Sequence, residues 1–212
     1  MSLKNKRILI TAGPTWVPID NVRVISNTAT GQTGILLAEN FSRLGAKVTL
    51  LLGPVGVCCL SPKIKLIKYK FFNELKDKLF GELKNSEFDC VIHSAAVSDY
   101  EPERYFDNKI DSGRKKLSLK LRPTEKIINR IKKIDASLFT VGFKFEPQRN
   151  KDILIKQARH LMAQANLDLV VANSIKGGRY LAYLVAKKEV GAVILTKNNL
   201  VKKLIVLISK KI

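Results

Sequence analysis

Glycines and hydroxyl side chains are concentrated in one early segment that could bind a phosphate group. The segment reads Ser26-Asn-Thr-Ala-Thr-Gly-Gln-Thr-Gly34 and leads directly into a helical pattern over residues 35–44. Backbone N–H groups at the start of that helix, helped by the hydroxyls of Thr28, Thr30 and Thr33, would form an anion site. An ordinary capped helix start with flexible glycines has the same composition, so the segment alone leaves both interpretations open.

Two common nucleotide-binding motifs are missing from the sequence. No G-x-G-x-x-G follows the first predicted strand, and Leu52-Gly53-Pro54 stands at the end of the second strand, where a dinucleotide fold has an acidic residue for the ribose. No Gly-Lys-Ser or Gly-Lys-Thr occurs, which excludes a Walker-type phosphate loop. A nicotinamide-dependent reductase is therefore disfavoured, and any nucleotide must bind by another scheme.

The elements that would position this segment alternate between strands and helices. Apolar runs predict strands at 7–11, 47–52, 64–69, 89–93, 117–121, 138–143 and 168–173, and periodic apolar positions predict helices at 35–44, 72–83, 125–133, 151–166 and 200–212. Residues 180–187 and 192–197 are predicted to form an antiparallel pair. The alternation predicts one α/β domain over residues 1–212, with a doubly wound, mostly parallel Rossmann-like sheet and an antiparallel C-terminal addition.

Ligands of such a sheet bind at the carboxyl ends of its strands. The loops that could carry a site therefore follow Thr11, Leu52, His93, Phe143 and Asn173. The first of these loops precedes the glycine-rich segment, and the third begins the small-residue run Ser94-Ala-Ala-Val-Ser-Asp-Tyr100. The sequence thus predicts that these two segments meet at one edge of the sheet.

Composition narrows the class of protein. The chain carries 38 Lys and Arg against 18 Asp and Glu, a formal net charge of +20 that invites a nucleic-acid interpretation. The lysines are spread along the chain and the aromatic residues suit core packing, so anionic small molecules are favoured over nucleic acid as ligands. Cys58, Cys59 and Cys90 have neither metal-ligand nor disulfide spacing, which predicts a reducing cytoplasm and no metal held by the protein itself. No run is long enough to predict a signal peptide or a membrane span.

Four ordered blocks carry a resemblance to a known family. They are Ile10-Thr-Ala-Gly-Pro-Thr15 with Ile19-Asp20, Val22-Arg23, Ile25-Ser26-Asn27 and Gly31-x-x-Gly34; Ser94 to Tyr100 with Lys109-Ile110; Val141-Gly-Phe143 with Glu146; and Asp168-Leu-Val-Val-Ala-Asn173. In order and spacing they resemble the phosphopantothenate–cysteine ligase (phosphopantothenoylcysteine synthetase) family, the ligase half of the bifunctional bacterial coenzyme A flavoprotein. The resemblance covers nearly the whole chain and is loosest towards the C-terminus.

The resemblance implies a ligation in coenzyme A biosynthesis. Members of this family activate the carboxylate of 4'-phosphopantothenate with CTP or ATP, release pyrophosphate, and let the amine of cysteine attack the acyl-nucleotide. A carboxylate is a poor electrophile, and its linkage to a nucleotide phosphate creates a good leaving group while Mg²⁺ and basic groups neutralise the charge. The resemblance also implies a homodimer with sites near its interface and no flavin, and it leaves open a separate decarboxylase chain as a partner.

Two residues are implied to be catalytic. Asn27 matches the family asparagine whose amide donates to oxygens of the acyl-nucleotide without adding charge. Lys109 matches the lysine whose ammonium approaches the phosphates. Outside the resemblance, Asn27 would be interpreted as an Asx turn and Lys109 as a solvated loop lysine.

The resemblance assigns binding roles to further residues. Asp99 would hold the ribose or base, Phe143 would pack on the nucleobase, and Arg23 would lie near the phosphate-bearing substrate; the plainer alternatives are a turn cap, a core phenylalanine and an exposed loop cation. His93 could suggest a general base, but the family gives it no such role, and we interpret it as a pocket wall. The predicted nucleotide site is Gly13, Thr30, Gly31, Gly34, Ser94, Ala95, Asp99, Lys109 and Phe143, and the predicted substrate site is Arg23, Asn27 and Ala96.

Two departures from the family pattern concern charge. The family has two lysines, four residues apart and facing the triphosphate, where this sequence has Leu161 and Ala165. The segment Thr124-Glu125-Lys126-Ile127 stands where an Asn-Pro-Asp-Ile type of sequence is common. Compensating charge could come from Lys144, Lys151 or Arg159. These departures keep a second hypothesis open, a non-catalytic nucleotide- or nucleic-acid-binding relative with the same fold.

Overall fold

The computed structural model describes residues 2–56, 60–113 and 115–212, so Cys58 and Cys59 lie outside the described residues. Its strands are β1 (Arg7–Ala12), β2 (Trp16–Pro18), β3 (Val24–Ser26), β4 (Lys47–Leu52), β5 (Lys65–Lys68), β6 (Cys90–His93), β7 (Tyr100–Pro102), β8 (Leu121–Pro123), β9 (Phe139–Phe145), β10 (Leu169–Lys176) and β11 (Arg179–Ala186). Its helices are α1 (Gln32–Arg43), α2 (Phe72–Asn85), α3 (Ile128–Ile134), α4 (Lys151–Ala165) and α5 (Lys197–Ile208).

Seven strands form the main sheet in the order β11-β10-β9-β6-β1-β4-β5. Every neighbouring pair is parallel except β10 and β11, which run antiparallel. The sheet confirms the predicted fold class, a Rossmann-like α/β arrangement with an antiparallel C-terminal strand. β2 and β3 form a separate hairpin, and β7 and β8 form a separate two-stranded ribbon.

Both faces of the sheet are covered, which explains the continuous apolar runs of its central strands. In β1 and in β4 every residue after the first is buried. On one face α1 and α5 pack against the strands and contribute Leu37 and Leu204 to the core. On the other face α2, α3 and α4 contribute Leu75, Ile131 and Leu154. In the described part of the chain, no helix has the length and apolar character needed to span a membrane.

Three local features differ from the sequence-based expectation. The strand predicted at 117–121 is displaced to β8 and pairs with β7 outside the main sheet. Of the predicted C-terminal pair, β11 forms but pairs with β10, and residues 190 and 194 make only isolated bridges to it. The hairpin of β2 and β3 has no sequence signal, because strands of three residues are too short to show an alternation of apolar and polar side chains.

Candidate active site

The loops after β1 and β6 lie side by side at the point where the strand order switches from one side of β1 to the other. β4 and β5 lie on one side of β1, and β6, β9 and β10 lie on the other, so the crevice between β1 and β6 is the expected ligand site. Two backbone hydrogen bonds join the loops, from Ala96 N–H to the Gly13 carbonyl (2.9 Å) and from Thr15 N–H to the Ala96 carbonyl (3.2 Å). The floor of the crevice therefore contains two predicted residues, Gly13 and Ala96.

A buried histidine and a threonine brace this floor. Thr11 Oγ1 lies 2.9 Å from His93 Nδ1 and accepts a hydrogen bond from Ala95 N–H (3.2 Å). Ser94 Oγ donates to the Thr11 carbonyl (2.6 Å). Burial lowers the pKa of His93 to about 4, so its imidazole is neutral at pH 7. These contacts bury His93 beside Thr11, and they add Thr11, which sequence reasoning missed, as the residue that holds Ser94 and Ala95.

The start of α1 packs directly against the ends of β1 and β6. A β-carbon on Gly34 would lie 2.5 Å from Ala12 Cβ and 2.8 Å from Ser94 Oγ, so only glycine fits there without a shift. Gly31 is the N-cap residue of α1, with a φ of 69° in the region that favours glycine. Within the described residues, the first turn of α1 contains no acid and receives no side-chain cap. Its N–H groups and its positive dipole end therefore suit an anion.

The hairpin of β2 and β3 holds Asn27 over the same floor. Asn27 directly follows β3, and its Nδ2 donates to the carbonyls of Ala96 (3.1 Å) and Val97 (3.3 Å). Ser26 Oγ donates to the Thr15 carbonyl (3.1 Å) and so fastens the end of the hairpin. The structure thus brings Asn27 to Ala96 instead of placing its side chain in a local Asx turn. Because Asn27 is exposed, a ligand in the crevice can reach its amide.

A buried carboxylate connects the tip of this hairpin to the segment that carries Lys109. Asp20 accepts hydrogen bonds from the backbone N–H groups of Val22 (2.9 Å), Arg23 (2.7 Å) and Ile110 (3.1 Å). Burial alone would raise the pKa of Asp20, but these N–H bonds and the Arg23 charge hold it below its usual value. The Arg23 guanidinium is engaged with the Asp20 carboxylate (2.9 Å) and the Ile110 carbonyl (2.9 Å), while Lys109 is exposed.

Asp99 is tied to the segment in which the sequence departs from the family pattern. Lys126 Nζ forms an ion pair with the Asp99 carboxylate, and both side chains are more than half exposed. Thr124 Oγ1 donates to the Ser98 carbonyl (2.6 Å), and Thr124 N–H donates to the Asp99 carbonyl (2.9 Å). Ser98 N–H in turn donates to Thr15 Oγ1 (2.9 Å). Residues 124 to 126 therefore line the same loop as Asp99.

Two predicted residues lie at the rim of this arrangement. Phe143 is half-buried and packs against the core face that contains α1 and α5. Thr30 precedes α1, with its Oγ1 3.4 Å from Gln32 N.

In the described part of the chain, three buried polar atoms near the junction of β10 and β11 have no hydrogen-bond partner: Asn173 Oδ1, Ser174 Oγ and Tyr180 OH. They lie at the carboxyl end of β10, the edge where the crevice opens.

The two positions of the missing lysines do not face the crevice. Ala165 is 3% exposed, and Leu161 packs against the core formed with α2 and α3. α4 ends at Ala165 and the chain enters β10 past Asp168, whose carboxylate accepts a hydrogen bond from Thr140 N–H (2.8 Å) near the start of β9. That edge is opposite to the carboxyl ends of the strands. The prediction that Leu161 and Ala165 face a triphosphate is therefore wrong. Both residues lie on the side of α4 that packs against the core.

Of the three cations expected to compensate for those lysines, two already contact another side chain. Lys144 Nζ pairs with Glu146 (3.0 Å), and Lys151 Nζ lies 5.8 Å from the centre of the Tyr183 ring. Arg159 is exposed on α4. Lys126, which sequence reasoning treated only as part of an altered segment, is the cation that the structure places at Asp99.

The chain is similar to known proteins in both sequence and fold. A family model described as the DNA/pantothenate metabolism flavoprotein C-terminal domain matches residues 3–211. The coenzyme A biosynthesis bifunctional protein CoaBC of Thermococcus kodakarensis is 39% identical over 175 residues, covering 82% of this chain and 43% of that protein. A protein named cysteine/cysteine sulfinic acid decarboxylase, from an unknown prokaryotic organism, is 39% identical over 177 residues, covering 82% of this chain and 47% of its own length.

A solved structure matches the fold over nearly the full length of both chains. The DNA/pantothenate metabolism flavoprotein from Streptococcus pneumoniae has a TM-score of 0.87 and 26% identity, covering 97% of this chain and 99% of that chain. The chain spans less than half the length of the two relatives described above. Since the family model extends over almost every residue, the chain belongs to the DNA/pantothenate metabolism flavoprotein C-terminal domain family.

Proposed function

We propose that this chain joins 4'-phosphopantothenate to cysteine through an acyl-nucleotide, with CTP or ATP as co-substrate. The observation that carries the proposal is the position of Asn27, whose amide lies on the crevice floor formed by Ala96 and Val97. The acid-free start of α1 packs against the same floor at Gly34, so a neutral donor and an anion site share one crevice. The name of the Thermococcus kodakarensis relative, a bifunctional protein of coenzyme A biosynthesis, supports this substrate class.

The proposed reaction has two steps. The substrate carboxylate attacks the α-phosphate of the triphosphate and displaces pyrophosphate, and the amine of cysteine then attacks the acyl carbon and displaces the nucleoside monophosphate. Backbone N–H groups at the start of α1 bind phosphate, and Lys109 neutralises negative charge. Asn27 Nδ2 donates to the acyl-nucleotide, for which it must release the carbonyls of Ala96 and Val97. A neutral donor suits this role because it stabilises the oxygens without trapping the product as an ion pair.

Mg²⁺ fits the proposed site as an ion carried by the triphosphate. The described residues contain no cluster of three or more His, Cys, Asp or Glu side chains that could hold a metal alone. Asp99 is exposed at the crevice and offers one carboxylate. Mg²⁺ commonly binds through one or two carboxylates plus substrate phosphates, which this arrangement can provide.

A homodimer and a separate decarboxylase chain belong to the same proposal. Apolar side chains on the ribbon of β7 and β8 support a homodimer, since Tyr100 is 55% exposed and Leu121 is 43% exposed. The name of the Thermococcus kodakarensis relative, a bifunctional protein, supports a second activity that works with this one. Sedimentation analysis and co-purification with a candidate decarboxylase test the two expectations separately.

The proposed reaction can be tested with the purified chain. We expect phosphopantothenoylcysteine and pyrophosphate from a mixture of 4'-phosphopantothenate, cysteine, Mg²⁺ and either CTP or ATP, followed by mass spectrometry. Omission of cysteine should leave the acyl-nucleotide as the detected species, which separates the two steps. Absence of coupled product and of acyl-nucleotide with both triphosphates would contradict the proposal.

The charge of the chain favours one second candidate, a non-catalytic nucleic-acid-binding role. A formal net charge of +20 attracts any polyanion, whether or not a specific site exists. Affinity for duplex DNA should then fall steeply as salt rises, because counterion release dominates such binding. Micromolar or tighter binding at physiological salt, together with no ligase product, would favour this role over the first.

A further inference from the structure

Asp20 is a fully buried carboxylate whose hydrogen-bonding capacity is used on both of its oxygens. The residue is 2% exposed, and its side chain has no exposed surface. One oxygen accepts from the N–H groups of Val22 and Arg23, and the other accepts from Ile110 N–H and from Arg23 Nη1. A buried carboxylate is stable only when it is satisfied in this way. The arrangement therefore demands that all four donors be in place together.

These bonds join two segments that lie far apart in the sequence. Ile110 is 90 residues from Asp20, and its carbonyl also accepts a hydrogen bond from Arg23 Nη2 (2.9 Å). A third contact runs from Phe106 N–H to the Ile19 carbonyl (3.0 Å). The segment from 106 to 110 is thus fastened to the hairpin at both of its ends. We call these contacts the Asp20 clasp.

The segment held by the clasp has little else to order it. Ile110 is buried and Phe106 is half-buried, but the flanking residues 103–105, 107–109 and 111–113 are exposed. Conformational entropy opposes a single conformation for an exposed segment of this kind. Lys109 directly precedes Ile110, so the position of its backbone depends on the N–H bond to Asp20.

We propose that Asp20 is a positioning residue for the triphosphate, acting through Lys109. It holds the lysine-bearing segment against the same hairpin that carries Asn27, so that the two proposed catalytic side chains keep a fixed relation. Asp20 itself touches no substrate, because its carboxylate is enclosed by protein donors. This inference rests on the proposed ligase function for its kinetic consequences, whereas its structural consequence can be measured without turnover.

The test compares Asp20→Asn with a matched control. Asparagine keeps the size but replaces one acceptor oxygen by an amide that points hydrogens at the remaining donors. Asp135→Asn is the control, because Asp135 also accepts from a backbone N–H, that of Ser137 (2.9 Å), at the far end of α3. We expect amide hydrogen exchange in residues 103–113 to rise at least about tenfold in Asp20→Asn and to stay unchanged in Asp135→Asn.

Kinetic measurements separate positioning from a merely structural role. We expect Lys109→Ala to lower kcat/KM for the triphosphate about 100-fold and Asp20→Asn to lower it by about 10- to 100-fold. The double variant should be no worse than Lys109→Ala alone, since Asp20 acts through that lysine. Normal kcat/KM in folded Asp20→Asn, or additive losses in the double variant, would overturn the proposal.

If Asp20→Asn does not fold, a second variant tests the same contact from the side of Ile110. Ile110→Pro removes the one donor that the 106–110 segment gives to Asp20 and leaves the donors from Val22 and Arg23 in the sequence. It should raise exchange in residues 103–109 and lower kcat/KM as Lys109→Ala does; unchanged exchange would overturn the clasp. A wild-type chain without ligase turnover would contradict the proposed function instead, and the exchange measurements would still decide whether Asp20 orders the Lys109 segment.

Discussion

Replacement of Gly34 by alanine should destabilise the protein through one identified overlap. The added β-carbon would lie 2.5 Å from Ala12 Cβ and 2.8 Å from Ser94 Oγ. Non-bonded carbons are most stable at about 3.5–4.0 Å, so α1 must move away by about 1 Å or the neighbours must yield. Ser94 can yield only by giving up its hydrogen bond to the Thr11 carbonyl. Overpacking of this kind costs about 1–3 kcal/mol, and we expect a value near the upper end.

The assay is thermal unfolding, with urea unfolding in parallel, of four variants together with the wild type. Gly34→Ala should lower Tm by roughly 4–12 °C, the range expected for about 2–3 kcal/mol in a chain of this size. Ala12→Gly removes the opposing carbon, so Gly34→Ala with Ala12→Gly should be more stable than the sum of the two single effects predicts. Gly81→Ala is the control, because that glycine lies inside α2 with open space around it and alanine should stabilise the helix by about 1 kcal/mol.

Two outcomes would refute this reasoning. A Gly34→Ala variant as stable as the wild type would mean that α1 is not held against β1, and an absence of rescue by Ala12→Gly would mean that another contact limits the site. The same overlap applies to Gly34→Val. The obstruction falls on Ala12 and Ser94 inside the protein, so loss of ligand binding would follow from displacement of α1.

Three further predictions concern the site and its surroundings. Asn27→Asp should retain the fold but lose turnover, because a carboxylate would repel both the carbonyls of Ala96 and Val97 and the acyl-nucleotide phosphate; wild-type rates would exclude the assigned role. The pKa of His93 is lowered by burial to about 4, so its contribution to stability is full above pH 6.5 and is lost as pH falls from there towards 4. Urea unfolding at pH 7, 5.5 and 4.5 should show about 2.4 kcal/mol of acid destabilisation across this range that His93→Leu lacks, and an equal loss in both proteins would contradict the assignment. Ala165→Lys should destabilise the core by several kcal/mol without tightening triphosphate binding, since a buried ammonium is strongly disfavoured, whereas tighter binding in a calorimetric titration would return that helix face to the site.

The sequence predicts the framework well because each central strand is buried on both faces. The apolar runs that become β1, β4 and β6 are short, continuous and separated by helical patterns, which leaves few alternative folds. Residue types at the glycine-rich segment also indicate the start of α1. The short hairpin of β2 and β3 is not predictable in the same way, since its position depends on contacts such as that of Ser26 with Thr15.

Sequence reasoning about the site failed where the partner of a residue lies far along the chain. Thr11 and His93 are 82 residues apart and Asp20 and Ile110 are 90 apart, so nothing local indicates either contact. The burial of Ala165, in contrast, could have been predicted from the sequence. Leu154, Ala158, Met162 and Ala165 recur at helical spacing and are all buried, which marks that stripe of α4 as its core face.

The donors at the crevice floor are an amide and backbone N–H groups, which are uncharged, so a triphosphate needs a cation from elsewhere. Arg23 is committed to the buried Asp20, and its release would leave that carboxylate without its charge partner. Lys126 pairs with Asp99 on the surface, where both side chains are more than half exposed and such pairs contribute about 0–1 kcal/mol. Lys126 can therefore turn from Asp99 to a phosphate at small cost, and Asp99 is then free to bind a ribose hydroxyl or Mg²⁺. For the proposed ligation, Lys126 is therefore our candidate, beside Lys109, for the positive charge that the core-facing positions Leu161 and Ala165 do not carry.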